Sequence, residues 1–235
     1  SVDRQHRSLR RRVADQPCRM TSRDDILKRV RAGVGKDDFA RRRAAADAYM
    51  AAKARGPQPA LADDLAARFQ AKAEYLASSV ERVSSSAAVP GAVARYLAAN
   101  ELGAEAVATP DVAGLDWAAA GLSVTGRAAV DADKVGISGC FCAIAETGTL
   151  MLLSGPDSPA TVSLLPETHI AIVKTVRLVR TMEDAFALMR AEHGPVPRAI
   201  NFISGPSRTG DIEQTIVLGA HGPCRVHLIL VGENT

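Results

Sequence analysis

Aromatic side chains are scarce in this 235-residue chain: one Trp, three Tyr and five Phe, 4 % of the whole. Hydrophobic residues nevertheless make up 47 %, so the core must be built from Ala, Val, Leu and Ile, a composition that suits an α/β protein. No apolar run approaches the roughly 20 residues needed to cross a bilayer. The N-terminal arginines are not followed by the apolar stretch of a secretory signal. The expectation is a cytoplasmic protein with no membrane contact. Cysteine is also sparse, with Cys18, Cys140, Cys142 and Cys224 alone. They form no CxxC pair and show no spacing typical of zinc or an iron–sulfur cluster. No metal site and no cofactor is expected in this chain. Cys140-Phe141-Cys142 alternates like a strand, which predicts both sulfurs on one face as small buried hydrophobes, and no disulfide is expected.

What the chain does have is a lopsided charge. Residues 1–43 carry 14 Lys/Arg against 6 Asp/Glu, a net of +8, and the remainder carries 15 against 20, a net of −5. The basicity belongs to the N-terminal segment alone. Phe39 is the only aromatic in that segment and it holds no nucleic-acid-binding motif, so a solvated arm is favoured over a phosphate contact. Residues 1–19, with six arginines and no apolar periodicity, read as a basic, disordered leader. Met20 has the look of a natural start, and residues 20–59 read as an N-terminal helix and linker. Ile26, Leu27, Val30 and Val34 fall at helical spacing after a cap at Thr21 or Ser22. Residues 60–235 read as one α/β domain.

Within that domain the pattern alternates. Leu61 to about Ala77 is amphipathic, Val80–Val83 alternates like a strand, and Pro90 opens a helix to Asn100. Ala106–Ala108 and Leu122–Val124 read as strands, with a surface loop or short helix from Leu115 to Gly121, holding Trp117, between them. Val135–Gly139 reads as a bend. Phe141–Ala145, Leu150–Leu153, Thr161–Leu165, His169–Val173, Ile200–Ile203 and Val226–Val231 read as strands, and Thr181–Arg190 as a capped helix. This alternation predicts a three-layer α/β/α arrangement with a mostly parallel sheet.

Two turns carry the candidate chemistry. The first, Glu146-Thr147-Gly148-Thr149, follows an apolar strand and places a carboxylate among hydroxyls and a permissive backbone. The second lies in the stretch Asn201–Gly222. Its apolar strand stops at Ser204-Gly205-Pro206, followed by Ser207, Arg208 and Thr209. Asp211, Glu213 and Gln214 then open a segment through Leu218 that reads as a short helix. Strand, glycine turn and helix would aim free backbone N–H groups at an anion, and Arg208 would add a planar fork for a carboxylate or phosphate. Alternatively Thr209 or Asp211 merely caps the helix and Arg208 is a solvated charge. If both turns lie at strand carboxyl ends, where open α/β sheets place their sites, Arg208 can pair with Glu146. His221, between small residues, is suited to proton transfer or to a plain cap. His169 reads as core or support.

The stretches GPSRTGDIEQTIVLGAHGP and CAIAETGTLML together resemble the LUD-domain family, specifically its lactate-utilisation protein C group, over roughly Ala60 to Val231. That family usually has Ala where this chain has Gly210. The resemblance implies a fold similar to the glucosamine-phosphate isomerase, ribose-phosphate isomerase and coenzyme A transferase group. It also implies a bacterial role in oxidising L-lactate to pyruvate beside iron–sulfur partner proteins, which would carry the clusters. Glu146 and His221 would then be the catalytic candidates. Thr147, Gly148, Thr149, Gly205, Ser207, Arg208, Thr209, Asp211 and Glu213 would surround a small anionic metabolite. Two other functions stay open: a stand-alone isomerase or CoA-transferase-like enzyme with Glu146 as base or nucleophile, and a non-catalytic scaffold or metabolite sensor.

Overall fold

The structure is a computed structural model that describes residues 23–34, 38–60, 63–212 and 215–232, without the side chains of 211, 212, 215 and 216. The leader expected at residues 1–19, the cap at Thr21 or Ser22, and Glu213 with Gln214 lie outside the described residues. The chain divides into two units, Ser1–Gly56 and Pro57–Thr235.

The first unit contains two helices, α1 (Arg23–Gly33) and α2 (Phe39–Ala52), and neither buries a residue. Asp24 and Asp25 in the first turn of α1 and Arg31 in its last complement the helix dipole. The part of residues 20–59 expected to be linker holds the 14-residue α2.

In the second unit α3 (Leu65–Tyr75) starts where the Asp64 carboxylate accepts the Ala67 N–H. It leads into β1 (Ser79–Val83), then α4 (Val89–Ala99) with Pro90 in its first turn. β2 (Glu105–Ala108), the one-turn α5 (Pro110–Ala113), β3 (Ser123–Gly126) and β4 (Val135–Ser138) follow. Next come β5 (Cys142–Ile144), β6 (Thr149–Leu153), the one-turn α6 (Thr161–Leu164) and β7 (Thr168–Lys174). β8 (Leu178–Val179), α7 (Met182–Glu192), β9 (Ile200–Ile203), β10 (Arg208–Ile212), β11 (Thr215–Leu218) and β12 (Arg225–Val231) complete the chain. Both halves of the capping box at Thr181 and Asp184 form.

The central sheet is six-stranded in the order β1-β12-β7-β4-β2-β3, and every pairing is parallel. One face packs on α4 and the Trp117 segment through Val93, Leu97, Ile137, Ile170 and Ile229. The opposite face meets α3 through Phe69 and Ala73. It also meets a second sheet, of order β8-β5-β6-β9, through Ala143, Leu150 and Leu152. The outer face of that second sheet offers Cys142, Ile144 and Met151 to Ala185 and Met189 of α7. The mostly parallel sheet clothed by helices is therefore present, with a small mixed sheet interposed on one side.

Four local expectations change. Val135–Ser138 is a fully buried strand near the centre of the sheet, not a bend. Gly136 is required there because a Cβ would lie 2.0 Å from the Val162 carbonyl oxygen. Thr161–Leu164 is the helical turn that presses on it, not a strand. Trp117 is buried, and its indole N–H donates to the Val112 carbonyl at 3.2 Å. The segment from Asp211 to Leu218 is not a helix: β10 and β11 form an antiparallel hairpin with an irregularity between Thr209 and Ile212.

Candidate functional site

The two motif turns do come together, though not as an ion-pair pocket. Thr149 is buried at the start of β6, and its hydroxyl lies 2.7 Å from that of Ser204. Thr147 donates to Thr149 at 2.8 Å. A line of three hydroxyls thus joins the Glu146–Thr149 turn to the exit of β9. Both turns then press on the C-terminal end of α3. Gly148 has φ +69°, and a Cβ there would meet Ala73 N at 2.6 Å. Gly205 has φ +80°, and its Cβ would fall 2.2 Å from the Leu76 carbonyl oxygen. Only glycine satisfies both the left-handed backbone and the close approach.

Arg208 finishes the junction. Its Nη2 donates to the same Leu76 carbonyl at 3.2 Å, placing a cation at the negative end of the α3 dipole. No ion pair joins Arg208 to Glu146 among the described residues; Glu146 is half-buried, and its backbone N–H donates to the Arg180 carbonyl at 3.0 Å. Ser207 N donates to the Pro223 carbonyl at 2.9 Å, and the Ser207 carbonyl accepts from Gly219 N. Thr209 pairs with Val217 in the hairpin. His221 is exposed in the bend after β11, without a partner among the described residues. Asp211 begins no helix, and its side chain, like Glu213, lies outside what is described.

The location of the junction also differs from expectation. Leu76 lies just before β1, Pro223 just before β12, and Gly222 stands near the Leu164 carbonyl just before β7. Ser207, Arg208 and the Gly219–Gly222 bend therefore sit at the amino ends of the parallel strands, not at their carboxyl ends. With a hairpin replacing the helix, no helix N-terminus points at this spot.

The carboxyl ends hold a different feature, which sequence reasoning missed. The chain leaves β2 toward β3 on one side and leaves β4 toward β7 on the other, so strand order reverses between β2 and β4. A cavity of about 350 Å³ lies at that reversal, lined in part by Asp111, Gly139, Cys140, Phe141, Lys174 and Arg177. The two strand exits are tied together: Thr109 N donates to the Ile137 carbonyl at 2.9 Å, and Gly139 N to the Thr109 hydroxyl at 3.3 Å. Arg177 is committed, with a bidentate bond to Glu192 at 2.8 Å and an Nε bond to the Phe141 carbonyl at 2.8 Å. That pairing holds the Glu192 carboxyl below its ordinary range.

A larger cavity, about 720 Å³, lies at the amino ends of β2, β3 and β4. Its cations are already matched, Arg127 by Asp133 at 2.7 Å and Lys134 by Glu167 at 2.8 Å.

Neither Cys140 nor Cys142 is poised as a nucleophile. Burial pushes the Cys140 thiol up to about 12 and the Cys142 thiol up to about 11. The two do not share a face: Cys142 packs toward α7, whereas Cys140 precedes β5 and packs against the cluster on the other side of that sheet. Ser138 and His169 form a hydrogen bond at 2.8 Å, but both are fully buried, and burial lowers the His169 pKa to about 4. That pair is a core contact, as expected for His169. Among the described residues no group of three His, Cys, Asp or Glu is placed to hold a metal ion, and no helix is long and apolar enough to cross a membrane.

The model of the LUD domain matches residues 60–231. The chain belongs to the LUD domain family. The match takes in both motif turns and both cavities, so the LUD domain corresponds to the second unit almost throughout. Lactate utilization protein C of Anoxybacillus flavithermus is 37 % identical over 103 residues, 44 % of this chain and 46 % of that protein. The protein of the same name from Bacillus subtilis is 43 % identical over 103 residues, 43 % of each chain. These matches span less than half the length of those relatives. A crystal structure of a DUF162 family protein from Deinococcus radiodurans superposes with a TM-score of 0.56 at 28 % identity, covering 74 % of this chain and all of that one.

Proposed function

We propose that this LUD protein is a component of a cytoplasmic L-lactate utilisation system, in which L-lactate is oxidised to pyruvate beside iron–sulfur partner proteins. The observation that carries this reading is the recurrence of one name, lactate utilization protein C, among relatives 37 % and 43 % identical. Oxidation of lactate to pyruvate releases two electrons and two protons. The spacing of the four cysteines in this chain matches no cluster-binding pattern, which supports assigning the electron carriers to the partners. This chain would then hold the organic acid or organise the complex.

Complementation tests the reading. A strain lacking this gene should lose growth on L-lactate as sole carbon source while growing normally on pyruvate, and the wild-type gene should restore it. Cell extracts should lose lactate oxidation in parallel. Unimpaired lactate growth in the deletion strain would overturn the proposal.

A second reading, a scaffold without chemistry of its own at the motif turns, draws on the placement of Arg208. Its guanidinium is spent on the Leu76 carbonyl, which is a structural use. Copurification separates the two: a scaffold variant altered at Arg208 still brings down its partners and still supports growth.

A further inference from the structure

We infer that the cavity at the carboxyl ends of β2, β4 and β7 binds a small carboxylic acid bearing a hydroxyl or ammonium group near its carboxylate. Lys174 ends β7 at this cavity, and its exposed side chain has no hydrogen bond or ion pair among the described residues. Asp111, on α5, is exposed and lines the same cavity, and its carboxylate likewise has no partner among them. The two are not paired with each other. Arg177, the other cation in the wall, has its fork on Glu192 and its Nε on the Phe141 carbonyl. The cavity therefore presents one uncommitted cation and one uncommitted carboxylate.

An anion without a hydrogen-bond donor would be drawn by Lys174 and repelled by Asp111. A simple cation would meet the reverse. A carboxylate with a neighbouring hydroxyl or ammonium satisfies both, since the carboxylate accepts from Lys174 Nζ and the donor gives to Asp111. Gly139 fixes where the acid of Asp111 stands: a Cβ at residue 139 would lie 2.1 Å from Asp111 Oδ2. The bare glycine lets the carboxylate lie against the exit of β4. The position obeys the general rule for open parallel sheets, whose ligands bind where strand order reverses.

This deepens the reading above, because L-lactate is such an acid, and it rests on that reading for the choice of first probe. The test is calorimetric titration of the full chain with L-lactate, L-alanine and propionate, which lacks the donor. Saturable binding of L-lactate or L-alanine is expected, at least tenfold tighter than propionate. Lys174→Met should weaken it at least tenfold, and Gly139→Ala should weaken it by displacing Asp111. Arg95→Ala, a surface change on α4, should leave it unchanged. Absence of saturable binding by either donor-bearing acid, equal binding of propionate, or wild-type affinity in Lys174→Met would overturn the assignment.

Acetylation of the exposed Lys174 by an N-hydroxysuccinimide ester, read by peptide mass, needs no variant. Saturating L-lactate should slow it several-fold relative to the exposed Lys53, and lack of protection would overturn the site. Lost lactate growth in the deletion strain with no binding overturns the cavity alone. Binding with intact growth overturns the lactate reading alone.

Discussion

Arg208 and Leu76 are 132 residues apart in sequence, and the guanidinium of one donates to the carbonyl of the other at 3.2 Å. The contact fastens the start of the β10–β11 hairpin to the end of α3, where unsatisfied carbonyls gather.

Removing that cation should cost stability. Arg208→Ala is expected to lower the unfolding free energy by about 1 kcal/mol, the scale of an exposed charge-assisted hydrogen bond at a helix end. A shifted urea midpoint at constant slope checks it. If Arg208→Ala leaves stability untouched yet abolishes lactate growth, the residue serves a ligand and not the helix.

The glycine at 205 should tolerate nothing larger. Gly205→Ala places a methyl 2.2 Å from the Leu76 oxygen in a left-handed backbone at φ +80°. A loss of roughly 2–4 kcal/mol is expected from strain and displacement combined. Gly210→Ala, where a Cβ would meet nothing within 4 Å, is the comparison and should change stability by less than about 0.5 kcal/mol. Equal effects at the two positions would refute the packing argument.

Acid should weaken the fold through two histidines. His169 and His227 are buried, and burial lowers both pKa values from 6.5 to about 4. The Glu81 charge pulls His227 the other way without reversing the shift. His227 also lies under the Tyr96 ring, 4.0 Å between centroids. Between pH 6.5 and 4 the unfolded chain binds more protons than the folded one. Stability is therefore complete above pH 6.5 and falls as pH drops toward 4, by roughly 2 kcal/mol per histidine at pH 5. Denaturation curves at pH 7 and pH 5 measure it, and His169→Gln should flatten the difference. Stability that rises on acidification through this window would contradict the burial of both rings.

Arg177 should not accept lysine. Its guanidinium forks onto Glu192, donates Nε to the Phe141 carbonyl and stands 4.7 Å over the Phe141 ring. Lysine keeps the charge but not the planar fork. Arg177→Lys is expected to lose about 1–2 kcal/mol, most of it from the orphaned carbonyl. Thermal unfolding of the two proteins checks this, and matching melting temperatures would show that charge alone suffices.

Where residues stayed local in their logic, the linear chain was readable. Pro90 opening α4 and the Thr181/Asp184 box of α7 sit where residue chemistry places them, whereas the Asp64 cap that starts α3 at Leu65 is seen only in the structure. Val135–Ser138 was misread because a strand buried on both faces shows no alternation, and Gly136 looks like a turn until Val162 is seen against it. Thr161–Leu164 is β-branched and apolar, which suits a strand, yet tertiary packing makes it one helical turn. In Asp211–Leu218 the acidic opening suggested a helix, while Thr215, Ile216 and Val217 favoured the hairpin that forms. A meeting of the Glu146 and Ser204 turns was legible only as a condition on strand order, and the Arg208–Glu146 pair attached to it does not form among the described residues. Their position at the amino edge was not legible, because edge identity depends on strand order. For the same reason Asp111, Gly139 and Lys174 drew no notice. The signal was present only in combination: two strands, each followed within a few residues by a small or polar turn, that become neighbours in space.

β12, the last strand in order among the described residues, occupies an interior berth between β1 and β7. During translation β1 has no partner in the parallel sheet until residues 225–231 emerge. The earlier strands must wait with an open slot, and a ribosome stalled anywhere before that point leaves a nascent chain whose central sheet is split in two.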